Sequence, residues 1–324
     1  MAYDKVVDSA VLDGYFSDIA DAIRNKDGTQ NTYTPAQMPQ AIEDIPSGGG
    51  MDENFAKLLA GTVVGDITIT GVTDLSMTRI SLGDSDGMNN NITGLHFPNL
   101  VSWCHGNTNN AIKSGGLIDM TNASSSARSA RIQTLDIPEC THLYMGDPRN
   151  MANNYYFGKL KTLNAPKLTL FSGCLRGCGL TALNLPSLTD LNVQAFLRDA
   201  TSLTELRMPK LSITSMGNYY LYNCTALRIA DLGRTYTINS AFMGTATSLE
   251  ALVLRYNGTC SLNAASEFSN SPIASGTGYI YVPRDRVATY QAATNWSTYA
   301  AQFRALEDYT DDGTVDGEFI MPTN

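Results

Sequence analysis

The chain has 324 residues, of which 43% are hydrophobic and 16% charged, and its formal net charge at pH 7 is −9. Residues 1–50 carry a net charge of −5 and residues 307–324 one of −6, which leaves +2 for the long middle part. Without a basic stripe, the composition argues against a nucleic-acid partner. No apolar run reaches the roughly 18 residues of a membrane span, so no membrane insertion is expected.

Residues 1–46 are predicted to form a helical hairpin with one apolar side. Helical spacing of apolar residues marks the first helix. Thr34-Pro35-Ala36-Gln37 has the pattern of a capping box with proline at the first helical position, and so marks the start of the second. The apolar positions of the two helices are Leu12, Phe16, Ile19, Ile23, Met38, Ile42 and Ile45.

A hairpin of this size is too small to hold a good core by itself. We therefore expect it to bury its apolar side against copies of itself, the rest of the chain or a larger assembly. Residues 47–54 include Ser47-Gly-Gly-Gly50 and are interpreted as a flexible linker.

A phrase of the form (I/L)-x-x-L-x-φ-P-x-L, where φ is apolar, recurs through residues 55–278. It is clearest as LTALNLPSL at Leu180–Leu188 and LTELRMPKL at Leu203–Leu211. Its central leucine, called the anchor here, is placed at Leu95, Leu135, Leu163, Leu183, Leu206, Leu227 and Leu252. The last four steps between anchors lie in the range of about 20–29 residues that is typical of leucine-rich repeats. The sequence thus predicts a repeat solenoid with one short strand per coil.

In each strand, the anchor and the apolar residue two positions later lie on one face, so the residue after the anchor points outward. These outward positions are His96, Asp136, Asn164, Asn184, Arg207, Arg228 and Val253. The row is polar and chemically mixed, which fits a ligand-binding face and a solvated sheet face equally well.

Between the strands a second phrase recurs, as AFLRDATSL at Ala195–Leu203, YLYNCTAL at Tyr220–Leu227 and AFMGTATSL at Ala241–Leu249. Tyr220 takes the slot of the phenylalanine and is predicted to be core. The neighbouring Tyr219 and Tyr222 are candidates for ligand contact, since tyrosine offers an apolar ring and a hydroxyl. Tyr155 is a further candidate, unless it or Tyr156 fills another phenylalanine slot.

Residues 279–306 are interpreted as a cap that hides the last apolar edge of the repeats. We expect a strand at Tyr279–Pro283, a helix at Asp285–Ala293, and a short helix that carries Tyr299, Phe303 and Leu306. Trp296 is expected to plug the end of the core, and a sugar-binding role is its alternative. Residues 307–324 form an acidic tail.

No motif of an enzyme, cofactor or metal site stands out, so we predict a protein without catalytic residues, cofactor or metal. The three histidines lie outside zinc-protease and hydrolase motifs. The six cysteines are scattered at repeat positions, without the spacing of a zinc site, and are expected to be buried thiols.

The A-F-x-x-C/A-T-S-L-x-x-L-x-φ-P frame resembles the BspA-type leucine-rich repeat, which occurs on bacterial surface proteins and in phage tail proteins. Asp21–Ile45 resembles a short module at the N-terminus of phage tail and baseplate proteins, and Tyr279–Leu306 resembles the usual end of BspA-type solenoids. The resemblance implies a non-enzymatic phage or prophage tail fibre or receptor-binding protein. Its hairpin would attach it to other tail or baseplate proteins and form a homo-oligomer, with a trimer expected by analogy.

In this interpretation the solenoid recognises a protein or glycan of the host-cell surface. The first residues are acidic and lack the apolar core of an export signal, so we expect assembly in the host cytoplasm and a final place in the virion. The alternatives are a BspA-like bacterial surface adhesin, which would need an export signal, and a purely structural virion or capsid-decoration protein.

Overall fold

The computed structural model describes residues 9–27, 32–43, 52–75, 79–80, 91–103, 117–118, 132–144, 158–191 and 196–309. Ile45 and Tyr155, both predicted to be functional, lie outside these ranges. The chain divides between Glu53 and Asn54 into two compact units. Within the described residues, no helix has the length and apolarity to cross a lipid bilayer.

The N-terminal unit contains two helices, α1 (Ser9–Asp27) and α2 (Met38–Glu43), which pack against each other. The Thr34 N–H donates a 2.9 Å hydrogen bond to Oε1 of Gln37, which is one arm of the predicted capping box. The core of this unit is small: Ala20, Ile23 and Met38 are buried, and Phe16, Tyr33 and Ala41 pack around them.

The predicted apolar side of the hairpin is divided between this core and the surface. Ile23 and Met38 are buried, and Phe16 is half-buried. Leu12 and Ile19 are each 40% exposed, Ile42 is 52% exposed, and Tyr15 on the same helix is 61% exposed. The hairpin therefore uses only part of its apolar surface to fold.

The second unit is a parallel β-solenoid of about seven turns, or coils. It begins with helix α3 (Glu53–Leu59), whose Leu58 is fully buried, and strand β1 (Val64–Thr68). Between Leu59 and Ala265 the described residues contain no helix. The next strands are β2 (Arg79–Ile80), β3 (Asn91–His96), β4 (Ser102–Trp103), β5 (Leu117–Ile118), β6 (Thr134–Asp136), β7 (His142–Tyr144), β8 (Thr162–Asn164), β9 (Leu170–Ser172), β10 (Ala182–Asn184) and β11 (Asp190–Leu191). They are followed by β12 (Glu205–Arg207), β13 (Ser212–Ile213), β14 (Ile229–Asp231), β15 (Arg234–Thr235), β16 (Thr237–Ile238), β17 (Ala251–Val253), β18 (Ser261–Leu262), β19 (Tyr279–Val282) and β20 (Phe303–Ala305).

The repeated phrase builds the front of the solenoid, which consists of two parallel sheets in the orders β1-β3-β6-β8 and β10-β12-β14-β17-β19-β20. Side sheets follow in the orders β4-β7-β9-β11, β13-β15 and β16-β18. Leu95 pairs with Leu135, and Leu183 with Leu206, so equivalent anchors stack coil upon coil. These anchors point inward and are buried.

The front is interrupted between β8 and β10, which pair with no common strand. At this junction the segments that precede β8 and β10 are linked by a hydrogen bond, in which the Gly179 N–H donates to the Leu160 carbonyl at 2.8 Å. Leu163, the anchor of β8, is only partly buried, unlike the anchors Leu135 and Leu183 on either side. The core is thus less well covered at this coil.

The anchor predicted at Leu227 was placed three residues too early. Strand β12 pairs Leu206 with Ala230, and β17 pairs Leu252 with Ala230, so Ala230 is the anchor of this coil. Leu227 instead fills the first apolar slot of the phrase, where it is fully buried. The small alanine at the anchor hid the correct register.

The interior is lined by an aromatic row, in which Phe171 comes from β9 and the other rings from the second phrase. The ring of Phe196 lies 5.4 Å from that of Phe171 and 6.5 Å from that of Tyr220, which in turn lies 6.5 Å from Phe242. Tyr220 is 4% exposed, so the prediction that it is core is confirmed.

Threonines satisfy backbone carbonyls along one edge of the coils. The hydroxyl of Thr141 donates to the carbonyl of Val101, that of Thr169 to Thr141, and that of Thr189 to Thr169, at 2.9–3.1 Å. Such repeated side-chain bonds add to the backbone ladders that hold neighbouring coils together.

The C-terminal cap buries its aromatic residues. Trp296 is fully buried and stacks on Phe268 at 5.8 Å, and its Nε1 donates a 2.6 Å hydrogen bond to the carbonyl of Cys260. Tyr290 receives the Cys260 N–H on its hydroxyl at 2.8 Å. The expected plug at Trp296 is confirmed, and with its ring enclosed the side chain offers no surface for a sugar.

The predicted short helix that carries Tyr299, Phe303 and Leu306 is divided in the structure. Tyr299 lies in a 3₁₀ helix (Trp296–Gln302) and Leu306 in another (Leu306–Asp308). Helix α4 (Pro272–Ser275) precedes β19, and α5 (Val287–Ala292) follows it. Phe303 does not lie in a helix but in β20, which pairs in parallel with β19 and becomes the last strand of the front. Phe303 and Ala305 alternate inward around the exposed Arg304, which is a strand pattern that the sequence reading mistook for helical spacing.

Candidate functional site

The first half of the predicted outward row forms one polar cluster. β3 pairs with β6, and β6 with β8, so that His96, Asp136 and Asn164 stand side by side. The Asp136 carboxylate lies 3.3 Å from Nδ1 of His96 and accepts a 2.7 Å hydrogen bond from Asn164. Asp66 approaches His96 Nε2 at 4.0 Å. The polar groups largely satisfy one another, which suits a solvated sheet face.

The second half of the row is not uniformly exposed. Asn184 and Arg207 are half-buried, and Arg207 lies 3.3 Å from a carboxylate oxygen of Glu205 on the same strand. Asp231 takes the position expected for Arg228 and is 3% exposed. Val253, expected to face solvent, is fully buried. The expectation of a continuous exposed row is therefore wrong for this half.

Arg228 lies before β14 rather than in the outward row. Its guanidinium donates from Nε to one Glu250 oxygen at 3.1 Å and from an outer nitrogen to the other at 2.7 Å. Hydrogen bonding to Arg228 lowers the pKa of Glu250 from its ordinary value. Both side chains are about half exposed, so the pair is a surface link between coils.

Tyr219 and Tyr222, by contrast, are brought together on a loop with a third residue, Arg198. The two rings meet edge to face with centroids 5.4 Å apart. The guanidinium carbon of Arg198 lies 4.9 Å from the Tyr219 centroid and 5.5 Å from that of Tyr222. We call these three residues the loop cluster. Tyr219 is 41% exposed, which makes it one of two well-exposed tyrosines in the solenoid unit, within the described residues.

The repeat frame explains how the loop cluster forms. Arg198, Tyr222 and Gly244 occupy the same slot in three successive coils. A Cβ built on Gly244 would lie 2.4 Å from the ring of Tyr222, so the absence of a side chain at Gly244 lets this ring lie on the next coil. Tyr222 is thereby enclosed between Arg198 on one side and Gly244 on the other.

Tyr219 has a left-handed backbone, with φ of +64°, as does Ala241 in the equivalent slot of the next coil, with φ of +58°. The Tyr219 N–H donates to the Ala241 carbonyl at 3.0 Å, which aligns the two residues. Because alanine suffices at the same backbone geometry, the fold does not require an aromatic ring at position 219. The ring is therefore free to serve a surface function.

Beneath the loop cluster runs a polar row. Asp199 accepts a 2.9 Å hydrogen bond from Nε of Arg176 and a 3.1 Å bond from Asn223 of the next coil. Thr245 donates to Asn223 at 3.4 Å. This row fixes the backbone that presents Arg198 and Tyr222. Sequence reasoning missed Arg198, although alignment of the three second phrases would have placed it beside Tyr222.

The described part of the chain contains no group of three or more His, Cys, Asp or Glu side chains that could hold a metal ion. The five cysteines in the described ranges are buried, as predicted. Burial raises the pKa of Cys174 and Cys178 to about 11 and that of Cys224 and Cys260 to about 12. Such thiols are poor nucleophiles and poor ligands near neutral pH.

No protein-family model matches the chain, and no curated protein matches it.

Proposed function

We propose that this chain is a non-enzymatic recognition protein of a phage or prophage tail or baseplate, whose solenoid contacts the surface of the host cell. The proposal combines the resemblance of the repeat and terminal phrases to BspA-type phage proteins with the parallel β-solenoid and its two helical ends. Solenoids offer extended surfaces rather than deep clefts, which suits adhesion better than catalysis.

The observation that carries the proposal is the loop cluster. Most large apolar side chains among the described residues of the solenoid unit are buried, whereas the ring of Tyr219 is exposed beside the guanidinium of Arg198. Tyrosine and arginine are the residues most enriched at the energetic centres of binding surfaces. A pair of this kind on a rigid repeat scaffold is suited to ligand contact.

The hairpin supplies the second part of the proposal. Leu12, Ile19 and Ile42 keep much of their surface exposed, although the described residues of the hairpin include only three buried apolar side chains. Contact with further copies or with a tail protein would bury this surface. Several copies on one particle would turn weak single contacts into strong adhesion, since linked binding events raise affinity by about 10²–10⁴.

Two measurements test the proposal. Immunogold electron microscopy of induced phage particles, with antibody to residues 51–306, should label the tail tip or fibres. Fluorescent full-length protein should bind cells of the host strain, and Y219A should reduce this binding. Label on the head would favour a decoration protein, and label on the bacterial envelope alone would favour an adhesin; either result would overturn the proposal.

A further inference from the structure

The guanidinium of Arg198 is held by two tyrosine rings and by an ion pair with Asp199, and it donates no hydrogen bond to the residues that the structure describes. It lies over two tyrosine rings, and the nearest carboxylate oxygen, on Asp199, is 3.6 Å from Nε, beyond hydrogen-bond distance. That oxygen already accepts from Arg176 at 2.9 Å. The Nε of Arg198 is buried and without a hydrogen-bond partner in the described part of the chain.

The outer nitrogens of Arg198 are thus the donors that remain for a ligand, and the side chain is 26% exposed. A guanidinium presents its N–H groups as a planar fork that matches carboxylate and phosphate oxygens. An anionic group is therefore the ligand chemistry that this arginine suits.

The rings of the cluster differ in what they offer. Tyr222 is enclosed between Arg198 and Gly244, so its faces are occupied. Tyr219 touches Arg198 on one side and meets Tyr222 edge to face, and it retains 41% of its surface. An exposed phenol combines an apolar face with a hydroxyl, which suits the C–H face and the hydroxyls of a sugar ring.

The geometry points to an acidic saccharide as the ligand of the loop cluster, and we propose that its sugar ring packs on Tyr219 while its carboxylate or phosphate binds the outer nitrogens of Arg198. This inference rests on the proposed recognition function and names its ligand class. A single cation beside a single open ring fits one acidic monosaccharide unit. A nucleic acid would need the basic stripe that the chain lacks.

The test is isothermal titration calorimetry of the full-length protein with three probes: trigalacturonate, a galactose phosphate and neutral galactotriose. We expect binding of at least one acidic probe, weaker at high salt, and clearly weaker binding of galactotriose. The two acidic probes separate a carboxylate site from a phosphate site.

Substitutions locate the site. R198Q should lower affinity about 10- to 100-fold, as expected for loss of a charged hydrogen bond. R198K should recover only part of it, since lysine lacks the planar fork. Y219A should lower affinity about two- to tenfold. R228Q, which removes an exposed arginine of another surface, is the matched control and should bind like the parent. Circular dichroism confirms that each variant is folded.

Equal binding of acidic and neutral probes, no binding of either acidic probe, or equal losses in R198Q and R228Q would overturn the inference. These outcomes are distinct from failure of the proposed function. If host-cell binding survives R198Q, the recognition function stands and the acidic-saccharide site is rejected. If the acidic probes bind but phage particles carry no label, the acidic-saccharide site stands and the phage-tail function is rejected.

Discussion

Arg255 lies one coil beyond Asp231 and binds its carboxylate with two nitrogens. Nε donates to both oxygens at 3.1 and 3.0 Å, and an outer nitrogen donates to Oδ2 at 2.7 Å. The side chains are only 7% and 5% exposed. Asp231 also accepts the Gly233 N–H at 3.2 Å, so one carboxylate joins the turn after β14 to the residues after β17.

The first prediction concerns this buried ion pair. D231A removes the carboxylate that pairs with the buried guanidinium of Arg255, and should lower the free energy of unfolding by about 3–5 kcal/mol. Urea titration followed by circular dichroism measures the change. The double variant D231L/R255M should be much closer to the parent, because a well-packed apolar pair can replace a buried ion pair.

The Arg228–Glu250 pair is the control for this prediction, since it also joins neighbouring coils but is half exposed. E250A should change the free energy of unfolding by less than about 1 kcal/mol. If D231A were as mild as E250A, the buried pair would not be a major link between these coils.

The second prediction concerns Glu267, whose buried carboxylate contacts the last copy of the second phrase, Ala241–Leu249. Its oxygens accept the Ala241 N–H at 2.5 Å and the Met243 N–H at 3.3 Å. In the preceding coil, the equivalent Tyr219 N–H donates to a backbone carbonyl of the next coil. The carboxylate of Glu267 thus takes the place of the backbone carbonyls that accept the equivalent bonds in the preceding coil.

E267A should therefore lower the free energy of unfolding by about 2–4 kcal/mol, because two buried N–H groups lose their acceptor. E267Q keeps one acceptor oxygen, so its free energy of unfolding should lie between those of E267A and the parent. Urea titration gives the ranking. If E267Q were as unstable as E267A, the negative charge of Glu267, rather than its acceptance of the two hydrogen bonds, would be the source of its stabilising effect.

Sequence patterns predicted the parts of the molecule that repeat. The anchors at Leu95, Leu135 and Leu183 and the core role of Tyr220 are visible because apolar residues recur at fixed spacing. The register failed at Ala230, where a small side chain fills a leucine slot. The partners of buried charges, such as Glu267, are set by coil stacking and carry no period in the sequence.

The same reasoning explains which part of the candidate site was found. Tyr219 and Tyr222 are recognisable in the sequence as aromatic residues next to the core position Tyr220, and the structure places their rings in contact. Arg198 lies a full coil earlier in the chain, and only the stacking of equivalent slots brings it over their rings. The predicted row from His96 to Val253 was extended too far, because Val253 and Asp231, which takes the position expected for Arg228, are buried.

The third prediction concerns Gly244, which supports Tyr222. G244A adds a methyl group that would meet the Tyr222 ring and also strains a backbone with φ of +57°. Gly65 is the matched control, because its φ is +76° and no atom lies within 4 Å of an added Cβ. G65A should cost only the backbone strain, about 1–2 kcal/mol.

G244A should be more destabilising than G65A by thermal unfolding, and should shift the fluorescence of the tyrosines as the ring moves. In a Y222A background the extra cost of G244A should disappear, because the clash partner is gone. Persistence of the extra cost would mean that the ring is not what Gly244 accommodates.

The fourth prediction concerns thiol reactivity. With pKa values of about 11–12, the buried thiols at Cys174, Cys178, Cys224 and Cys260 carry less than about one thiolate in a thousand at pH 8. Ellman's reagent should leave these four unmodified in the native protein and react with all six cysteines in urea. Mass spectrometry identifies the modified residues, and rapid native labelling of any of the four would contradict the burial of that coil.

The fifth prediction separates folding of the hairpin from its assembly. Ile23 is 2% exposed and belongs to the hairpin core, whereas Ile19, one helical turn earlier on the same helix, is 40% exposed. I23S should lower the helix content of the N-terminal unit, since it removes one of the three apolar side chains that are buried among the described residues of the hairpin. I19S should leave helix content unchanged, because its side chain contributes little to that core.

If the exposed side of α1 is the contact between copies, I19S should shift the full-length protein toward the monomer in light scattering after size-exclusion chromatography. Loss of an apolar contact of this size weakens each interface by about 1–2 kcal/mol, which is enough to move a moderate self-association equilibrium at micromolar protein. Q40A, an exposed change on α2, is the control and should leave the mass as in the parent. A parent protein that is already monomeric would reject self-association through Leu12, Ile19 and Ile42.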